Sequence, residues 1–242
     1  MKGLKRALLI IAVLAATAFL SWEALKIRDI VVVGTHDRLP AEVVAASGIG
    51  FGDSLLTINK EAAEMSIEAD PYFKFEDIEI DWPNGIIIYV TERVPKTYIQ
   101  YLNAVIIMDE AGFVLEIGSA VGERSLVRVS GLQVETYLIG QELTARNQGQ
   151  VEVFGKVYKG FEKEGMIGEL REISVSQSLT ARAVMRQGLS VELGTADKLD
   201  EKVRLVDAII DSLLQTYGQG GVDGASLDVS SGEFGDFSPA RR

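Results

Sequence analysis

Apolar residues crowd the start of the chain, where no charged side chain falls between Arg6 and Glu23. As a helix, residues 7–22 rise about 24 Å, slightly short of a hydrocarbon core of roughly 30 Å. Lys5 and Arg6 can snorkel back to one interface and Trp22 suits the other, so the run can span a bilayer. Lys2, Lys5 and Arg6 all precede it. The positive-inside rule then assigns residues 1–6 to the cytoplasm, 7–25 to an anchor and everything later to the far side. Ala16-Thr17-Ala18 also has the form of a signal-peptidase site, which leaves export followed by cleavage as a second reading. A buried core helix fits poorly, because the run is apolar on every face.

After the anchor the pattern changes to short alternating segments. Residues 27–33 are rich in β-branched types and stop at Gly34, which predicts a strand. Pro40 opens a short helix through Val43, Val44 and Ala46, and Gly48 stops it. Asn59 suits the N-cap of a second helix over 60–69, which Pro71 ends. Ile78, Ile80 and Trp82 alternate with Glu79 and Asp81, Pro83-Asn84-Gly85 supplies a turn, and 86–91 runs back. The predicted order is β-α-α-β-β.

Glu92-Arg93-Val94-Pro95 reads as a boundary, giving a first module over 26–94 and a second over 95–231 before a polar tail, 232–242. In the second module the spacing predicts strands over 97–102, 104–108, 113–117, 126–129, 170–176, 180–186, 189–193 and 226–230. Residues 151–162 read as a weak helix because Gly155 and Gly160 interrupt them. Leu199, Val203, Val206, Ile210, Leu213 and Tyr217 recur three or four apart, an apolar stripe for a helix over 196–217 with Thr195 as cap and Gly218 as stop. The fold class is α+β.

Hydrophobic residues at 47% and charged residues at 24% suit a chain with a real core. The formal net charge of -11 sets nucleic acid aside as a partner, since an acidic surface repels phosphates. With no cysteine, disulfides and thiolate chemistry are excluded, and His36, the single histidine, sits in a polar turn, Gly34-Thr35-His36-Asp37-Arg38. Asp109 and Glu110 could form an acid/base pair, but Asp109-Glu110-Ala111-Gly112 is chiefly a turn. Gly48, Gly50 and Gly52 lack the Lys-Ser/Thr pair of a phosphate-cradling loop. No metal-ligand cluster, cofactor motif, catalytic set or small-molecule site is read from the chain, so function is expected to rest on surfaces.

Several short motifs share one order. Residues 27–34 make an opening strand and glycine, and Gly48-Ile49 runs on to Gly52-Asp53-Ser54-Leu55-Leu56. Pro71-Tyr72 precedes the hairpin, Glu92-Arg93-Val94-Pro95 closes the module, and Ile107-Met108-Asp109-Glu110-Ala111-Gly112 opens the next. Lys202 and Leu205 lie on the late helix, before Leu227-Asp228-Val229. Together these resemble the FtsQ/DivIB family of bacterial cell-division proteins over nearly the whole chain. The short cytoplasmic tail and Leu39-Pro40, where a Ser/Thr cap is more usual, depart from the pattern.

The resemblance implies an uncleaved single-pass anchor in the bacterial inner membrane, a POTRA domain over 26–94 and an extracytoplasmic β domain over 95–231. It also implies a non-catalytic scaffold at the division septum, binding FtsB/DivIC-like and FtsL-like proteins in a ternary complex among other divisome components and helping to control septal peptidoglycan synthesis. Another POTRA-type envelope module is the alternative, although residues after Pro95 are too few for a membrane barrel. The expected mode is β-augmentation, with Ser226, Leu227, Asp228, Val229 and Ser230 as an open strand edge whose apolar members face one way. Ile78, Ile80 and Trp82 form a second candidate edge, with Glu79 and Asp81 as guards against aggregation.

Overall fold

In the structure, a computed structural model that describes Ile10, Ile11 and residues 23–240, the chain after residue 26 begins with β1, Asp29–Val33. The expected anchor, with Lys5, Arg6 and Trp22, lies outside the described residues apart from positions 10, 11 and 23–25. Helices α1 (Pro40–Ser47) and α2 (Lys60–Ile67) follow, then β2 (Phe73–Asp81) and β3 (Gly85–Glu92). The strands order as β1-β3-β2, with β1 parallel and β2 antiparallel to β3.

Alternation along β3 buries Ile86, Ile88 and Val90 against Val43 of α1, Ile67 of α2 and Phe73 and Ile78 of β2. Pro40 starts α1 and Gly48 ends it in a left-handed conformation. The Asn59 side chain accepts the Ala62 amide at 3.1 Å, a working N-cap. At Gly34 the chain bends with φ +103, where an added Cβ would lie 1.7 Å from the Val90 carbonyl oxygen. Only glycine fits so close an approach.

The chain divides after Arg93 into two compact units, each with its own core. In the second unit come β4 (Thr97–Tyr101), β5 (Ala104–Met108), β6 (Val114–Gly118), β7 (Val127–Ser130), β8 (Val134–Thr136) and β9 (Thr144–Ala145). They are followed by α3 (Gly149–Lys163), β10 (Leu170–Val175), β11 (Ala181–Met185), β12 (Ser190–Gly194), α4 (Leu199–Val222), β13 (Ser226–Asp228) and β14 (Asp236–Ser238). Among the described residues, nine strands make one mixed sheet ordered β14-β13-β12-β11-β10-β7-β4-β5-β6, and β8 and β9 pair separately.

Three expectations change. The segment read as a weak helix is α3, 15 residues long and carrying Phe154, Val157 and Phe161 into the core. Its glycines are contact points: an added Cβ would sit 3.1 Å from the Glu110 carbonyl oxygen at Gly155 and 3.5 Å from Val203 Cγ2 at Gly160. Helix α4 starts at Leu199, three residues late. Its N-cap Lys198 is left-handed and gives no side-chain cap, while the Thr195 hydroxyl donates to Asp197 at 3.0 Å. Gly218, at φ 64 and ψ 173, breaks the helix where the stop was expected, and a short turn reaches Val222. The third change is β14, which lies in the segment read only as a polar tail.

Candidate partner-binding edges

A sheet recruits a partner strand only where one side of its outermost strand lacks a ladder. Segment 226–230 does not provide that margin. Strand β13 runs parallel to β12 through Ser190↔Ser226 and antiparallel to β14 through Ser226↔Ser238. The Val229 amide also donates to the Glu192 carbonyl at 3.0 Å, extending the inner ladder. Leu227 and Val229 are fully buried, so the apolar members of this segment face the core and are closed to a partner.

The margin is β14. The chain turns after β13, with the Ser230 amide donating to the Asp228 carboxylate at 2.8 Å and the Gly232 amide to the Val229 carbonyl at 2.9 Å. Those bonds from Ser230, hydroxyl as well as amide, hold the Asp228 carboxyl below the ordinary aspartate range. Gly235 then passes so near α4 and β13 that an added Cβ would lie 2.7 Å from Ile209 Cδ1 and 3.0 Å from Leu227 Cδ1. Phe237 rests on Tyr217 with ring centroids 4.9 Å apart. On its far side β14 has no strand partner among the described residues.

The opposite margin, β6, is less open. The Val114 amide donates to the Gln141 carbonyl and the Gly140 amide to the Val114 carbonyl, both at 2.9 Å. A loop thus occupies the start of that edge.

Strand β2 is a margin of the three-stranded sheet. Ile78 faces the core and is 1% exposed, whereas Ile80 is 39% exposed and Trp82, in the turn beyond the strand, 64%. The edge is interrupted by a register shift between Phe75 and Asp77, and the Glu68 carboxylate takes the Phe75 amide at 3.1 Å. Lys60 reaches Asp77 at 2.7 Å. Bulges and charged side chains are common guards of such edges.

The polar groups singled out in the sequence have structural partners. Asp109 accepts the amides of Ala111 and Phe113, each at 2.9 Å, and Glu110 faces Lys96 at 3.5 Å. Glu92, which sequence reasoning treated only as part of a boundary motif, accepts the amides of His36 at 2.6 Å, Asp37 at 3.1 Å and Arg38 at 3.2 Å. Arg93 donates to the Phe73 carbonyl at 2.8 Å. Among the described residues no cluster of His, Cys, Asp and Glu could hold a metal, and no helix is long and apolar enough to cross a membrane.

Residues 25–93 match the POTRA domain, FtsQ-type, family. The chain is 26% identical over 170 residues to the cell division protein DivIB of Clostridium botulinum strain Hall, which covers 69% of this chain and 65% of that protein. It is 22% identical over 214 residues to the cell division protein FtsQ of Anaeromyxobacter sp. strain K, covering 85% and 71%. It is 32% identical over 88 residues to the FtsQ of Streptomyces coelicolor, covering 36% and 33%. The match thus spans just under two thirds of the clostridial relative. An FtsQ-type domain in the first unit, with similarity to DivIB and FtsQ running on into the second, makes the chain similar to the FtsQ/DivIB cell-division proteins.

Proposed function

We propose that this protein is a non-catalytic scaffold of the cell-division machinery, held in the bacterial inner membrane by residues 7–25 with its POTRA and β domains outside. It gathers FtsB/DivIC-type and FtsL-type bitopic coiled-coil proteins and so contributes to control of septal peptidoglycan synthesis. The observation that supports this reading most is the margin of β14, which has no outer strand partner among the described residues, at the end of a large mixed sheet. Its backbone supplies a ladder for an incoming strand, and its three residues leave register to be set by side chains beside it.

Phe237→Pro tests the mode of binding. Proline removes a backbone donor and fixes φ, so β14 can no longer run as a regular pairing strand. The full-length variant is expected to keep cooperative unfolding and to lose binding of an FtsB/DivIC-type extracytoplasmic fragment. Unchanged binding would remove β14 from the interface. The division role is checked separately with an N-terminal fluorescent fusion, expected as midcell rings. Uniform envelope signal together with normal division on depletion would refute it.

A further inference from the structure

Helices α3 and α4 meet at Gly160 and Val203, and beside this contact lies an open groove of about 450 Å³. It is lined by Ala196 and Leu199, by Lys156, Lys159 and Lys163 from α3, and by Lys198 from the loop before α4. On a helix, positions 156, 159 and 163 fall on one face. Lys163 is paired with Asp200, but among the described residues Lys156, Lys159 and Lys198 have no ion pair. Three unpaired ammonium groups around one groove stand out in a chain whose formal net charge is -11.

We infer that this groove docks an acidic segment of a partner protein, one with carboxylates spaced by apolar residues. The lysines supply the charge complement, and Leu199, Ala196 and the lysine stems supply apolar surface for the residues between. Asp200 and Glu201 also line the groove. They repel a densely charged phosphate or sulfate polymer while leaving room for sparser carboxylates, which favours a peptide. The first-turn amides of α4 have no side-chain cap and provide further donors for a carboxylate. The inference stands apart from β14, so either site can fail alone.

The test measures fluorescence anisotropy of a labelled Glu/Leu-patterned peptide on the full-length protein in uncharged detergent. Saturable binding is expected, weakened by salt and lost with the matching Gln/Leu peptide. K156E/K159E/K198E should weaken it about tenfold or more, K156R/K159R/K198R should retain it, and K26E/K60E/K74E in the first unit should leave it unchanged. Equal binding of the Gln peptide, no loss in the groove variant, or an equal loss in the first-unit variant would overturn the inference. Displacement of the peptide by polyphosphate at matched charge would also overturn it, since the groove would then select phosphate polymers. Phe237→Pro should leave this peptide's affinity unchanged.

Discussion

Glu92 shows how one side chain fixes the geometry of a loop. The residue is 9% exposed, and its carboxylate gathers the consecutive amides of residues 36–38, which have turned away from β1 after Gly34. Glu92→Ala leaves these donors without their acceptor and is expected to destabilise the first unit by roughly 2 kcal/mol or more in urea unfolding. A loss within a few tenths would mean that water replaces the carboxylate freely. Asp228 acts at the other end of the chain. Its lowered pKa, due first to the Ser230 hydroxyl and amide and only last to Lys202, makes its charged form the stabilising one. That contribution is present above the ordinary aspartate value of about 3.9 and is lost as pH falls through the lower folded-state value. Asp228→Asn should therefore flatten the acid limb of the stability–pH curve, read as denaturant midpoints from about pH 5 down to about pH 2. An unaltered slope would exclude Asp228 as a source of it.

Among the elements, α3 shows why glycine inside a helix has two readings. Helix propensity alone predicts weakness at Gly155 and Gly160, yet both are buried where another element comes close. The neighbours differ. At Gly160 a methyl of Val203 stands at ordinary contact distance from an added Cβ, so Gly160→Ala should stabilise by about 0.5–1 kcal/mol through propensity. At Gly155 the neighbour is a backbone oxygen, Glu110, at 3.1 Å in a turn held by Asp109. Gly155→Ala should forfeit that gain to crowding. Thermal midpoints of the two variants decide it: if Gly155→Ala is at least as stable as Gly160→Ala, close packing is not what placed the glycine.

At the scale of the molecule, the cores separate cleanly. One is built from Ile27 through Val90 and the other from Ile99 through Val229, and among the described residues no buried side chain belongs to both. Pieces ending after Arg93 and starting at Val94 should therefore each fold alone, with a single sigmoidal urea transition apiece. A piece that fails to fold would show that its core needs the other. The sheet of the second unit has the opposite character. Its central neighbours β10, β7 and β4 lie far apart in sequence and pair in parallel, so their order depends on long connections and cannot be read from local pattern.

Features set by short-range physics are legible along the chain. The β-α-α-β-β order, the stops at Gly34, Gly48 and Gly218, the Asn59 cap, the Asp109 turn and the apolar stripe of α4 all follow from periodicity and backbone preference over a few residues. Which strand lies outermost is set by the assembled sheet. A margin is defined by the absence of a neighbour, and β13 and β14 are each three residues long, too short for alternation to reveal their places. The same holds for Glu92, whose partners are more than fifty residues away, and for the lysine groove, which combines one face of α3 with a loop that only folding brings beside it.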